Sequence, residues 1–444
     1  MQTTLFQVLT EETPNIDEIR IMLEFNNYII PSSYTNENII PNIIDNVFAG
    51  EWILTIPEGI INIKLFKGKT SSVDYMLFSG DSELYNGYAG DALCILESTK
   101  TSDNVSRNTA VYQRISKFMT YNKMYPESKA IQIMFWIDSN WSETLTQTAI
   151  LGFRMMDTLN IKLFATIGSQ LCDIKDKYQI MPFTTTDSLI QCKNNIPQKK
   201  GNQSIRLRRD DSIFYISLKL DKGEGQYAGV ISHDPNVGFL SAVLNCIEKI
   251  EPGSIYIIEN HGIQQKYFDK SPSSKLWYSL NKMNIVFNEC TIKTLPELPN
   301  RYFDLENEMT EKLCTILCDM ISTTRTIFSN HGGCALTCIK GTNCEESVGR
   351  KMPRPDIVFE DECKKEILII EGKLEKELTK GVKQLTEEHL KGFVEILNKN
   401  YPSHTIKKGL CITIDNIDNI SKYENLEYPV LFALDMNGRF IDLR

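Results

Sequence analysis

An aspartate, a glutamate and a lysine near the C-terminal end of the 444-residue sequence have the types and spacing to hold a divalent cation beside a negatively charged group. In RPDIVFEDECKKEILIIEGK, residues 354–373, Asp356 follows a proline, fourteen residues intervene, and Glu371-Gly372-Lys373 closes the run. Ile367 to Ile370 read as a strand buried on both sides. Side chains alternate along a strand, so Glu371 and Lys373 share a face. The acidic DECKK stretch reads as a hairpin turn that returns the chain antiparallel and sets Asp356 next to Glu371. Two converging carboxylates suit a hard, oxygen-binding ion such as Mg²⁺, which can activate water. A neighbouring ammonium can orient that water or neutralise charge on an attacked phosphate.

A second set of charged residues lies in GDALCILESTKTSDNVSRNTAVYQRISKF, residues 90–118. Asp91 stands before Glu97, with Lys100 just beyond, on a strand followed by a helix and another strand. Asp74 and Asp81 are alternatives to Asp91 as the upstream acid. In a regular strand Glu97 and Lys100 face opposite sides, so this reading requires a bulge at Ser98-Thr99. Arg107, Arg114 and Lys117 on the following helix are candidates to hold phosphates. The competing reading is a structural core with a solvated basic helix face.

The elements that must position these groups alternate short apolar runs with amphipathic helical stretches, as α/β layers do. Ala92 to Leu96 and AIQIMFWI from Ala130 predict strands. Between them Ser106 can cap a helix in which Ala110, Val111, Ile115, Phe118 and Met119 recur at helical spacing. The same order returns near the C-terminus. EILII from Glu366 and GLCITI from Gly409 predict strands, and Val382, Leu385, Leu390, Phe393 and Leu397 line one face of a helix between them.

Polar Thr184–Asn202 and proline-bearing Thr294–Asn300 divide the chain into three expected domains, 1–190, 200–295 and 300–444. In the middle one, Arg206, Arg208 and Arg209 precede an aromatic-bearing strand, a combination suited to gripping a phosphate backbone. His233 and His261 sit beside loop glycines and read as hydrogen-bonded loop residues. His331, Cys334, Cys338 and Cys344 could supply zinc with nitrogen and sulfur, but they lack paired C-x2-C spacing.

With 42% hydrophobic and 24% charged residues the composition is that of a globular protein, and its length exceeds one ordinary domain. No apolar run is long enough to span a bilayer, so no membrane partner is expected. The opening MQTTLFQVLTEETPNIDEIR lacks the basic-then-apolar order of a secretory signal, and the twelve scattered cysteines argue for reduced thiols. A cytoplasmic protein is the expectation. The net charge of −9 is not that of a protein that coats DNA nonspecifically, but enzymes that cut nucleic acid often confine their basic residues to one cleft, so it neither supports nor excludes a DNA substrate.

The arrangement PD–x14–EGK, preceded by a helix and followed by a helix and a strand, resembles the PD-(D/E)XK nuclease superfamily over roughly residues 301–415. The resemblance implies a mixed sheet flanked by helices at the C-terminus. Asp356 and Glu371 would be ligands to Mg²⁺, Lys373 would be catalytic, and Glu306, Glu308 or Glu311 would be a further acid. The superfamily includes members whose two acids are as close as Asp91 and Glu97, so a second nuclease-like α/β core is expected at the N-terminus. In that reading Asp91 and Glu97 are metal ligands and Lys100 the catalytic lysine, with Arg114, Lys117, Arg206, Arg208 and Arg209 contacting DNA.

The function implied is that of a Mg²⁺-dependent type II restriction endonuclease, type IIS-like in variant, hydrolysing double-stranded DNA. It would work as a monomer with one site per strand, or as a homodimer if one site alone is active. The rivals are a repair or antiphage nuclease without fixed sequence specificity and a DNA-binding protein with a degenerate nuclease fold.

Overall fold

A computed structural model of the chain describes residues 3–11, 13–44, 47–65, 73–82, 88–99, 110–137, 145–167, 170–195, 204–219, 234–260, 277–288, 294–300, 302, 324–331, 334–337, 353–435 and 440–444. The architecture is mixed α/β. The N-terminal segment supplies β1 (Thr4–Thr10), β2 (Ile39–Ile44), β3 (Val47–Ile56), β4 (Gly59–Leu65), β5 (Tyr75–Ser79), β6 (Cys94–Thr99), β7 (Ile131–Ile137), β8 (Lys162–Ile167) and β9 (Gln170–Asp173). The middle segment supplies β10 (Ser204–Asp210), β11 (Ile213–Lys219), β12 (Ile255–Asn260) and β13 (Asn284–Asn288). The C-terminal segment supplies β14 (Thr324–His331), β15 (Cys334–Thr337), β16 (Ile357–Asp361), β17 (Glu366–Leu374), β18 (Thr405–Ile414), β19 (Val430–Asp435) and β20 (Phe440–Asp442).

Helices α1 (Ile16–Glu24), α2 (Ala110–Met124), α3 (Gln147–Thr158), α4 (Ile174–Tyr178) and α5 (Thr186–Asn195) belong to the first segment, and α6 (Asp234–Ile250) to the second. Helices α7 (Leu378–Gln384) and α8 (Glu387–Asn400) lie between β17 and β18. The sequence predicts one continuous helix over this stretch. Two form instead, because the Thr386 hydroxyl accepts from the His389 N–H and caps a new helix start. Among the described residues no helix is long and apolar enough to cross a membrane.

The strands of the first and last segments form one sixteen-stranded sheet, joined where β20 pairs antiparallel with β3. Within it a six-strand pattern occurs twice. The order β1-β5-β6-β7-β8-β9 has the pairing sequence antiparallel, antiparallel, parallel, parallel, antiparallel. The order β14-β16-β17-β18-β19-β20 has the same sequence of directions. In each unit helical chain, α2 or α7 with α8, connects the second strand of the hairpin to the parallel strand that follows it, as a parallel crossover requires.

Period-two alternation explains how the helices attach. On β17, Ile367 and Ile369 pack beneath Leu390, Phe393 and Leu397 of α8, while Leu368 and Ile370 face a second core on the other side. On β6, Ile95 packs towards α2 with Ile115 and Phe118, while Cys94 and Leu96 face that same second core. The two units thus share a core on one face of the sheet, and each covers its other face with its own helices.

The middle strands form a separate four-stranded sheet in the order β10-β11-β12-β13. Its core is continuous with that of the N-terminal unit, since Leu240, Val243, Leu244, Tyr256 and Ile258 join the cluster that holds Tyr112, Phe118 and Met155. Helix α6 lies against α2 at Gly238, where a Cβ would come within 2.9 Å of the Gln113 backbone nitrogen. Replacing Gly238 with valine must separate the helices, and overpacking of this kind costs about 1–3 kcal/mol. A fall of that size in unfolding free energy, measured by urea titration, is the expected outcome; unchanged stability would show that the helices do not meet there.

Candidate functional site

Asp356 lies immediately before β16 and Glu371 near the end of β17. These strands pair antiparallel with Ile357 opposite Ile370, so the hairpin sets the two acids side by side. The turn depends on Lys365, which adopts a left-handed backbone with φ of 53°, and on the Asp361 carboxylate, which accepts from the Lys364 N–H at 3.0 Å. The β17–β18 ladder runs without a register shift through Glu371 and Lys373, which therefore project from the same face.

The three side chains meet. Lys373 Nζ donates to Asp356 Oδ2 at 3.1 Å and to Glu371 Oε2 at 2.9 Å, and the Gly372 N–H donates to Asp356 Oδ2 at 2.9 Å. Helix α7 closes over the lysine at Gly381, where a Cβ would meet Lys373 Cγ at 2.7 Å. Exposure rises across the site from 0% for the Glu371 side chain through 9% for Lys373 to 18% for Asp356. The opening is therefore on the Asp356 side.

Burial, then the adjacent Asp356 carboxylate, push the Glu371 carboxyl up to about 8, against the opposing pull of Lys373. Burial also acts to raise Asp356, but its hydrogen bonds from Glu371, Lys373 and the Gly372 N–H, with the Lys373 charge, hold it below its ordinary value. Lys373 is raised, because the two acids outweigh its own burial. Two acids and one ammonium leave the group one positive charge short when fully ionised; a protonated Glu371 can donate to Asp356, but once it is ionised its buried Oε1 receives no hydrogen bond. A buried, unpartnered carboxylate oxygen beside a second carboxylate fits a hard divalent cation. Among the described residues no group of three His, Cys, Asp or Glu side chains is gathered for a metal, so Asp356 and Glu371 are a two-carboxylate set.

The N-terminal unit has an equivalent arrangement that includes only part of what the sequence suggests. Glu97 lies on β6 and is 2% exposed. Its neighbouring acid is Asp74, just before β5, in the place Asp356 holds before β16. The Ser98 N–H donates to Asp74 Oδ2 at 2.8 Å, as the Gly372 N–H does to Asp356. Asp91 is not brought to Glu97: it lies in the turn before β6, beside Tyr88, Lys123 and Tyr125, and the strand from Cys94 to Glu97 at ~3.3 Å per residue separates the two. Asp81 follows β5 and sits at the wrong end of that strand for the same reason.

The β6–β7 ladder continues in register through Ser98 and Thr99, so the bulge required by the Lys100 reading does not form. Lys100 itself lies outside the described residues. The lysine of this cluster is instead Lys117 of α2, with Nζ 2.7 Å from Glu97 and 3.4 Å from Asp74; Arg114 approaches Glu97 at 3.5 Å. Burial and then Asp74 raise the Glu97 carboxyl to about 8, while Lys117 is raised by Asp74, Glu97 and Glu11 against its burial.

Sequence reasoning kept Asp74 only as an alternative and treated Lys117 as a phosphate contact. The available signal was the basic pair Arg114 and Lys117, three apart on a helix that must pack over an acid-bearing strand.

The middle-segment arginines divide by strand parity. Arg206 and Arg208 are exposed on one side of β10, and Arg208 stacks 4.1 Å from the Tyr215 ring. Arg209 points to the other side, held by Glu251 at 3.0 Å and Thr186 at 2.9 Å, so a phosphate would have to displace these partners. His331 and Cys334 face each other across β14 and β15, while Cys338 and Cys344 lie outside the described residues. Arg107, His233, His261, Glu306, Glu308 and Glu311 lie outside them as well. No protein-family model, curated protein or solved structure matches the chain.

The raised carboxyls set a pH dependence. A carboxyl whose value rises on folding, from 4.5 to about 8 for both Glu371 and Glu97, contributes stability that is full at low pH and lost as pH rises through 8. In chelator the melting temperature should therefore fall between pH 5 and pH 8.5, and Glu371→Gln should flatten part of that fall. Added Mg²⁺ should raise the melting temperature more at pH 8 than at pH 5.5, since it competes with the shared proton. Differential scanning calorimetry reads both, and an equal Mg²⁺ effect at the two pH values would contradict cation binding at these carboxyls.

Proposed function

We propose that the protein is a Mg²⁺-dependent endonuclease acting on double-stranded DNA, of the type II restriction class, with Asp356, Glu371 and Lys373 at its active site. The observation that carries this reading is the half-compensated acid pair: two adjoining carboxylates, one lysine bridging them, and an unpartnered buried oxygen on Glu371. An open oxygen alone does not distinguish a site, since the Lys175–Asp157 ion pair also leaves Asp157 Oδ2 without a partner; at Glu371 it lies beside a second carboxylate, where burying uncompensated charge is costly. The PD–x14–EGK spacing and the mixed sheet with its crossover helix support the same reading.

Asp356 and Glu371 would hold the ion, whose chemistry there is charge stabilisation and activation of water for attack on phosphorus. Asp356, the more exposed acid with its lowered value, stays ionised and faces the opening. Glu371 is fixed by the strand and can exchange a proton near neutral pH. Lys373 is held charged by its two acids, and once their charge is shared with a cation its ammonium can turn to a phosphate oxygen or to the attacking water. Gly381 keeps the lysine stem against β17, so its orientation is set by the fold. Arg206 and Arg208 form an exposed basic strip on an edge strand that suits phosphate contacts to a duplex.

The test is cleavage of a random-sequence plasmid library by purified protein, followed by sequencing of the fragment ends. A common sequence near the ends supports a restriction enzyme, whereas scattered ends indicate a nuclease without fixed specificity. Alanine at Asp356, Glu371 or Lys373 should slow cleavage by the C-terminal site at least about a hundredfold, with folding and DNA binding retained. Near-normal cleavage by Asp356→Ala of the strand served by that site would remove the assignment. Ca²⁺ in place of Mg²⁺ should permit DNA binding in a gel-shift assay but suppress hydrolysis, since its looser coordination activates water less well; equal rates in the two metals would contradict the metal mechanism.

A further inference from the structure

We infer that the N-terminal unit carries a second hydrolytic centre made of Asp74, Glu97 and Lys117, assembled on the same strand frame as the C-terminal site but with its lysine supplied by helix α2. The inference rests on the endonuclease reading of the C-terminal site and assigns this centre to the other strand of the duplex.

Two independent observations carry it. The first is the repeated topology: six strands in the same order and directions, with an acid before the first strand of a hairpin and a glutamate near the end of the second. The second is local. In both units the residue after the glutamate donates its N–H to the first acid, at 2.8 Å from Ser98 to Asp74 and 2.9 Å from Gly372 to Asp356. An ammonium then touches both acids in each unit, Lys117 at 2.7 and 3.4 Å and Lys373 at 2.9 and 3.1 Å. A salt bridge formed only for stability has no need to reproduce the backbone clamp on the first acid.

The centres differ in where the lysine originates. At the strand position of Lys373 the N-terminal unit has Thr99, two residues after Glu97, so no cation is available from β6 itself. Lys117 reaches over from the helix packed on that face. Arg114, one turn earlier on α2, supplies a further charge at 3.5 Å from Glu97 and is suited to bind a phosphate oxygen once Glu97 is engaged by a cation. Asp74 and Glu97 are the residues that would hold the ion.

In the reaction a water oxygen forms a bond to phosphorus and the bond from phosphorus to the departing deoxyribose oxygen breaks. The attacking water gives up a proton, and the departing oxygen takes one up from solvent. No redox partner is required. The two centres lie under different helices, one under α2 and one under α7, and share no residue. Each should therefore be removable by itself.

The experiment uses the full chain on a supercoiled plasmid bearing one target, with strand-specific sequencing of the products and calorimetric titration with Ca²⁺. Wild type should linearise the plasmid. Glu97→Gln should nick only one strand and Glu371→Gln only the opposite one, each losing the second cut more than about a hundredfold. Lys117→Met should reproduce the Glu97→Gln strand choice while still binding Ca²⁺. Two Ca²⁺ sites in wild type should become one in either glutamine variant.

Retained nicking of the first strand by Glu97→Gln shows that its fold is intact; if that variant misfolds, Lys117→Met decides by the same readout. Double-strand cleavage at the wild-type rate by a folded Glu97→Gln or by Lys117→Met, or an unchanged Ca²⁺ stoichiometry in Glu97→Gln, overturns the second centre and leaves the C-terminal reading standing. No cleavage of any duplex by wild type removes the endonuclease reading and this inference together.

Discussion

Two carboxylates held against each other in a buried strand end are the constraint around which each unit is built. At ~4 Å and an effective dielectric constant of about 20, like charges repel by on the order of 4 kcal/mol, before the cost of removing either from water. Asp356 and Glu371 would separate unless something fixed their positions and something positive stood beside them, and even so burial and mutual repulsion let them hold a proton up to a pH of about 8. The β16–β17 hairpin fixes the positions, and the apolar run from Ile367 to Ile370 anchors that hairpin in two cores at once. Lys373 supplies the positive charge from the same strand, held down by α7 at Gly381. The resulting site is stable enough to form and short enough of positive charge to attract more.

The N-terminal unit meets the same constraint with different groups. Its two acids, Asp74 and Glu97, are accompanied by two cations from α2, with Glu11 adding a third negative charge near Lys117. A lysine on a helix takes its position from the packing of that helix, whereas a lysine two residues along a strand takes its side of the sheet from the strand itself. Position on a common frame has thus been kept while the source of the charge has moved. Such an exchange is physically easy, because Coulomb attraction is indifferent to the element that carries the ammonium provided the distance is met.

This exchange also explains what the sequence reveals and what it hides. Asp356, Glu371 and Lys373 are legible because all three belong to one hairpin, where period two and a short turn determine which side chains meet. The strands around Glu97 are equally legible, since Cys94 to Leu96 and Ile131 to Ile137 are plain apolar runs. Its partners are not. Asp91 is nearer in sequence than Asp74, but a strand carries the chain away at ~3.3 Å per residue. The acid that adjoins Glu97 lies across the hairpin, and the lysine that meets both is on a helix whose packing no local pattern specifies. The break between α7 and α8 is a smaller case: apolar spacing continues through Leu385, and only the Thr386 cap marks the new start.

The same dependence on helix packing ties the middle segment to the N-terminal unit. Helix α6 crosses α2 at Gly238 and Gln113, the residue immediately before Arg114 and a turn before Lys117. The α6 core residues Leu240, Val243 and Leu244 belong to the cluster that also holds Phe118 and Met155. Cys246 makes the same connection to α3, its thiol lying 3.5 Å from the Met155 carbonyl oxygen. Close-packed interiors transmit displacement because they contain little free space to absorb it. A force on the four-stranded sheet or on α6 therefore reaches Arg114 and Lys117 directly. Lys373, fixed within its own strand and under a separate helix layer, is insulated from it. The two clusters on one frame consequently differ in more than the origin of a lysine: one is set by its strand and the adjoining α7, and the other also by how the neighbouring segment sits.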